Sequence, residues 1–176
     1  STEKVNTKFF VGFATFLIPF FASAQIIINE IAWMGSLPKE GESASVASNN
    51  EWIELYNSGT EGVTLDGWML EAEDGQPHIT LSGSIGVSAY FLLERSDDET
   101  VPGIGADLIY TGALSNNGEK LRLKDTGGVV IDTVDASAGW PAGDNTTKET
   151  MQHLNAGGWT TGTGTPRAVN LLTDSD

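Results

Sequence analysis

The chain has no cysteine. A disulfide framework, a thiolate zinc site and cysteine catalysis are all excluded by that absence. Histidine is nearly absent too: only His78 and His153 occur, so a multi-histidine metal centre has no ligands to draw on. Nothing near either one supplies a serine in a nucleophile-elbow motif, and both read as surface or edge-strand residues. Basic residues are scarce. Nine Lys and Arg stand against 24 Asp and Glu, a formal net charge of −15. Nucleic acids and anionic lipid surfaces bind through Lys and Arg that neutralise phosphate, so nucleic acid is not expected as a partner. No window sustains a helical period, which argues against a helix bundle.

What the chain does have is glycine and short apolar strands. There are 21 glycines in 176 residues, well above the usual ~7%. Turn signals recur along most of the sequence. At this length the chain suits one domain with its own core, needing no covalent staple.

The first segment reads differently from the rest. Lys4 and Lys8 precede an apolar run, FFVGFATFLIPFF (9–21), and then the small-residue pattern ASA. This is the order of a secretory signal peptide, with cleavage expected between Ala24 and Gln25. The run is too short to span ~30 Å of hydrocarbon, and Pro19 interrupts it. Residues 1–24 are therefore set apart from the fold, and the rest is expected to be secreted or associated with the cell envelope. The domain is expected over 25–170, with 171–176 a tail or linker.

Along 25–170, IIINEI (26–31) reads as a strand. The polar, Gly/Ser-rich stretch 35–50 reads as a surface loop. EWIELYN (51–57) is a second strand, Trp68–Glu73 a third, HITL (78–81) a short fourth and AYFLLER (89–95) a central, apolar one. LIY (108–110) is another short strand. The clearest piece is LSNNGEKLRLKDTGGVVIDTVD. Asn117-Gly118 marks a tight turn, Leu121 and Leu123 alternate with Arg122 and Lys124, and DTGG closes a hairpin. Residues 136–170 are rich in Gly, Thr and Trp and show little periodicity. The expected fold is all-β, an antiparallel β-sandwich of seven or eight short strands.

The stretch NNEWIELYNSG (49–59) poses the functional question. Side chains alternate across a strand. Glu51, Ile53 and Leu55 share one face; Trp52, Glu54 and Tyr56 share the other. Ile53 and Leu55 are the core pair, which sends Glu54 to the outer face between two aromatics. A structural Glu54 would accept bonds from an Arg, a Tyr hydroxyl or a loop amide. A chemical Glu54 would pair with Glu30 or Glu51, as carboxylates do in glycoside hydrolysis.

The ensemble INEIAW, NNEWIELYNSGTEGVTLDGWMLEAEDG, YFLLERSDD, YTGALSNNGEKLRLKDTGGVVIDTVD and the late TPRAVN resembles the lamin-tail domain. The resemblance runs from Ile26 to Asn170. It implies an immunoglobulin-like antiparallel β-sandwich, no catalytic residues, and a role in adhesion or scaffolding. It implies that Glu54, Asn57, Gly67 and Trp68 are structural. With no coiled-coil heptads and an export signal, the chain resembles the secreted bacterial members and not the nuclear ones. The expected partner is a protein or an envelope or extracellular polymer.

Two further features define alternatives. Asp97, Asp98, Glu99 and Asp107 cluster in one acidic loop and offer oxygen donors for Ca2+, as in a Ca2+-stabilised adhesion domain, although the spacing is not that of an EF-hand. Solvated charge is the simpler account of such a run. Trp140 and Trp159 lie in Gly/Thr-rich sequence and would serve as a ligand platform if exposed, as in a carbohydrate-binding accessory module of a secreted hydrolase. Packing against the sandwich is the competing expectation.

Overall fold

The computed structural model describes residues 25–170. The expected signal peptide (1–24) and the 171–176 tail lie outside the described residues.

Strand β1 (Ile26–Ala32) leads into a loop holding one helical turn, α1 (Ala44–Ala47). That turn forms because Ser43 caps it: its Oγ accepts the Val46 N–H at 3.3 Å. Strands β2 (Trp52–Asn57), β3 (Val63–Thr64), β4 (Met69–Ala72), β5 (His78–Thr80), β6 (Ser84–Ile85), β7 (Tyr90–Arg95) and β8 (Leu108–Tyr110) follow. Then come β9 (Lys120–Lys124), β10 (Val130–Asp135), β11 (Thr150–His153) and β12 (Trp159–Gly162). A six-stranded sheet runs β12-β11-β1-β2-β7-β8, a four-stranded sheet runs β10-β9-β4-β5, and β3 pairs with β6 alone.

The two larger sheets bury their alternating faces against each other. Ile28, Ile31, Ile53, Leu55, Phe91 and Leu93 come from the large sheet; Leu70, Ile79, Leu121, Leu123 and Val134 come from the other, in one continuous core. The outward residues of β9 are Lys120, Arg122 and Lys124, which pair with Asp135, Glu73 and Glu71 across the solvent face. The hairpin read from the sequence closes as expected, Leu121 opposite Val134. The Asn117-Gly118 turn that leads into β9 requires glycine: φ is 105° at Gly118, and a Cβ there would stand 2.1 Å from the Ala136 carbonyl oxygen.

Three features depart from expectation. Strand β8 pairs with β7 in parallel, so the large sheet is not wholly antiparallel. The 35–50 loop contains α1. The segment 136–170 is not a loop throughout: it supplies β11 and β12, and Trp159 sits in β12. TMQH lacks apolar alternation because its Thr150 and Gln152 are polar groups buried by later chain, and WTTG because it is a partly exposed edge strand of small residues.

Candidate functional site

The outer face of the large sheet holds the residues of interest. Strand β1 starts with Ile26 and Ile28 in the core, and the same alternation would send Glu30 inward with them. A bulge between Ile28 and Glu30 shifts the register by one residue. Ile31 then takes the core position opposite Ile53, and Glu30 turns outward opposite Glu54. The two carboxylates become cross-strand neighbours.

Glu54 is not exposed on that face. Glu30 and Glu54 are both 0% exposed, because the segment 163–170 crosses over them as a strap. Glu30 accepts bonds from the Thr150 hydroxyl, from Gln152 Nε2 at 3.1 Å, from the Thr165 N–H at 3.0 Å and from the Thr165 hydroxyl at 2.8 Å. Glu54 accepts from Asn29 Nδ2 at 3.1 Å and from the Arg167 N–H at 2.6 Å. Asn170 pins the end of the strap, its Nδ2 donating to the Asn29 carbonyl at 3.0 Å and the His153 carbonyl at 2.9 Å. The entrance is equally close: a Cβ on Gly164 would lie 3.1 Å from the Trp52 ring. The expectation of a loop amide bonding an outer-face Glu54 holds; the covering strap is what the sequence did not announce.

Burial pushes the Glu54 carboxyl up to about 8, against the pull of the Arg167 and Asn29 donors, and the neighbouring Glu30 charge adds to the rise. Glu30 is raised as well, by burial, with the Thr150, Thr165 and Gln152 donors opposing it. Glu51 lies on the other face, at the mouth of the core. It accepts from Arg95 Nη1 at 2.9 Å and from the Leu114 N–H at 2.7 Å, and burial raises it to about 7. Glu51 and Glu54 therefore do not form a pair; Glu30 and Glu54 do. Their oxygens are already committed to protein donors beneath a closed strap, which leaves no approach for a glycosidic bond and a water.

The sequence reading missed three buried polar groups. Glu94 Oε1, the Tyr110 hydroxyl and Glu119 Oε2 are enclosed without a hydrogen-bond partner among the described residues. Burial raises Glu119 to about 7, with Asp74 adding to the effect. A glutamate in an exposed-looking NNGEK turn carries no local sign of burial.

The acidic loop does not gather into a cage. Asp97 accepts the Glu99 N–H, and Asp98 accepts the Ala106 N–H at 2.6 Å. The Glu99 carbonyl is held by the Lys39 ammonium. Asp107 Oδ2 accepts both the Leu92 N–H and Arg167 Nη2, each at 2.8 Å. Among the described residues no three His, Asp or Glu side chains are arranged to hold a metal ion.

The tryptophans pack. Trp140 stacks on Trp33 with centroids 5.9 Å apart and planes 6° off parallel, and its Nε1 donates to the Ser115 carbonyl at 2.7 Å. Trp159 meets the His153 ring edge-on at 5.2 Å. Both rings are half-buried and pack against the core. Trp140→Ala should therefore lower stability by about 2–4 kcal/mol, as loss of a large packed aromatic does. Urea unfolding checks this; an unchanged midpoint would return Trp140 to the surface.

Two sheets with one shared core, a GEKLRL hairpin and the EWIELYN strand at the centre are now in place. A family model for the Lamin Tail Domain matches residues 20–138. The chain belongs to the lamin tail domain family. No curated protein matches it. The matched span of this lamin tail domain covers β1 to β10. Strands β11 and β12 and the strap that seals Glu30 and Glu54 lie beyond it, including the TPRAVN motif. Among the described residues, no helix of the domain is long and apolar enough to cross a membrane.

Proposed function

We propose that this lamin tail domain is an exported, non-catalytic interaction module that holds a protein or an extracellular polymer at the cell envelope. The observation that carries the reading is the fate of its acids: Glu30, Glu51 and Glu54 spend their oxygens on protein donors inside the fold. Paired carboxylates that serve catalysis need one oxygen pair open to substrate. The lysine-then-apolar start of the chain supports export. A net charge of −15 supports solubility and disfavours nucleic acid as the partner.

The test uses the full chain and Glu54→Gln. Both should be retained on the envelope fraction to the same degree, and neither should turn over envelope polysaccharide or peptide. Turnover that disappears in Glu54→Gln would overturn the reading. So would recovery of the protein only in the cytoplasm.

A further inference from the structure

One open cleft lies beside the sealed carboxylates, at the other end of the same sheet face. It encloses about 770 Å3, inside the range of small-ligand sites, roughly 300–1,000 Å3. Its floor is the cross-strand pair Tyr56 and Tyr90, one from β2 and one from β7. Their rings stand 4.9 Å apart and tilt by 36°, which makes a shallow trough and not a flat plate. The turn after β11 forms one wall with Leu154 and Asn155, and Gln25, just before β1, and Ile27 of β1 belong to the lining.

Apart from Ser58, bonded to the Gln25 carbonyl, and His153, packed edge-on against Trp159, the polar groups of this cleft divide into two sets. Asn29 and Asn170 are bonded to each other and to the strap, so they shape the wall. Asp132 is likewise committed, its Oδ2 accepting the Ile28 N–H at 2.7 Å. The hydroxyls of Tyr56 and Tyr90 and the amides of Gln25 and Asn155 carry no hydrogen bond among the described residues. These four groups are neutral, and each both donates and accepts. No Lys or Arg lines the cleft, and the domain is strongly acidic, which repels anions.

We propose that this cleft binds a neutral carbohydrate, a short run of unsubstituted sugar rings. A sugar ring presents apolar C–H faces to aromatic rings and hydroxyls at its rim. Tilted tyrosines match the faces, and ambivalent phenol and amide groups match hydroxyls that also both donate and accept. The two tyrosines belong to neighbouring strands, Gln25 directly precedes β1 and Asn155 lies in a turn, so the fold places the rings before any ligand arrives. The inference builds on the non-catalytic binding reading and names a different place from Trp140 and Trp159 for the contact.

The experiment titrates the full chain with neutral tetrasaccharides (cellotetraose, xylotetraose and mannotetraose), with tetragalacturonate as an anionic control and tetralysine as a cationic one. Calorimetry reads binding. At least one neutral tetrasaccharide should bind with little salt dependence, and tetragalacturonate should not. Tyr56→Ala or Tyr90→Ala should weaken it by about tenfold or more, the loss of one stacked ring. Asn155→Ala, on an exposed turn, keeps the test valid if a tyrosine variant unfolds, and should weaken binding by several fold. The proposal falls if no neutral tetrasaccharide binds, if binding survives all three substitutions, or if only tetralysine binds. Any of these would leave the module reading standing, since that depends on envelope retention without turnover.

Discussion

Glu30→Ala should destabilise the protein by about 2–4 kcal/mol, the cost of a buried donor left without its acceptor together with the loss of packing around it. The carboxylate gathers β11, the strap and β1 around one point. Deleting it leaves the Thr165 N–H under the strap without its acceptor and takes one acceptor each from the Thr150 hydroxyl and the Gln152 amide, which keep the Gly162 and Thr163 carbonyls. Each buried donor left unmade costs about 1–3 kcal/mol. Partial relief comes from Glu54, which no longer faces a second buried charge. For that reason the Glu54 carboxyl should titrate lower in Glu30→Ala than in the parent. Glu30→Gln keeps the shape and one acceptor oxygen, so its loss should be smaller. Urea midpoints with unchanged slopes would report these differences as native-state stability. A stability within ~0.5 kcal/mol of the parent would show that solvent satisfies the strap's donors and that the strap is no seal.

The second large effect is that the protein should be more stable near pH 5 than at pH 8. Glu54, Glu51 and Glu119 are raised from 4.5 to about 8, 7 and 7, in each case chiefly by burial. Below 4.5 these groups are protonated in both folded and unfolded chains and cost nothing. Between 4.5 and their folded values the unfolded chain releases protons that the folded chain keeps, so it binds fewer and stability falls as pH rises. The fall ends once the folded groups also ionise, near pH 8. Each contributes at most about 1.4 kcal/mol per pH unit inside its window, so the summed loss is several kcal/mol.

On the acid side the opposite groups act. Glu71 is held low first by its bond to Lys124, and Asp135 by its bond to Lys120. Their support is present above the ordinary carboxylate range and is lost as pH drops below it. The maximum therefore lies near pH 5. Denaturation at pH 5, 6.5 and 8 measures the slope. In Glu54→Gln the decline between pH 6.5 and 8 should flatten, because the group that titrates highest is gone. A parent curve that is flat from pH 5 to 8 would mean that the donors on Glu54 and Glu51 outweigh their burial.

Much of the sandwich was legible because its signals are local. Leu121 and Leu123 alternate with charged neighbours, Asn117-Gly118 sets a turn, and the apolar AYFLLER run marks an interior strand. Ile53 and Leu55 as the core pair of β2 also follow from period-two alternation, as does the placement of Glu54 on the opposite face. Each of these needs only a window of a few residues. The absence of cysteine and the scarcity of histidine excluded whole classes of chemistry without any structure.

The covering of that opposite face was not legible. Glu54 looked outward because alternation tells which side a residue takes and not what lies over it. The Thr165 N–H that bonds Glu30 is 135 residues away in the chain, and no periodicity links them. The bulge at Ile28/Glu30 leaves no mark in IIINEI, yet it decides that Glu30 meets Glu54 instead of the core. Strand β11 was missed for the same reason: its Thr150 and Gln152 face a buried network that exists only after the strap closes. Trp159 was placed in a loop because its strand has glycine and threonine for neighbours. Sequence alone set the strands, the turns and the inner face. Tertiary structure decided which carboxylates are buried, which tyrosines stay open and where a ligand has room, because those depend on contacts between segments that share no local pattern.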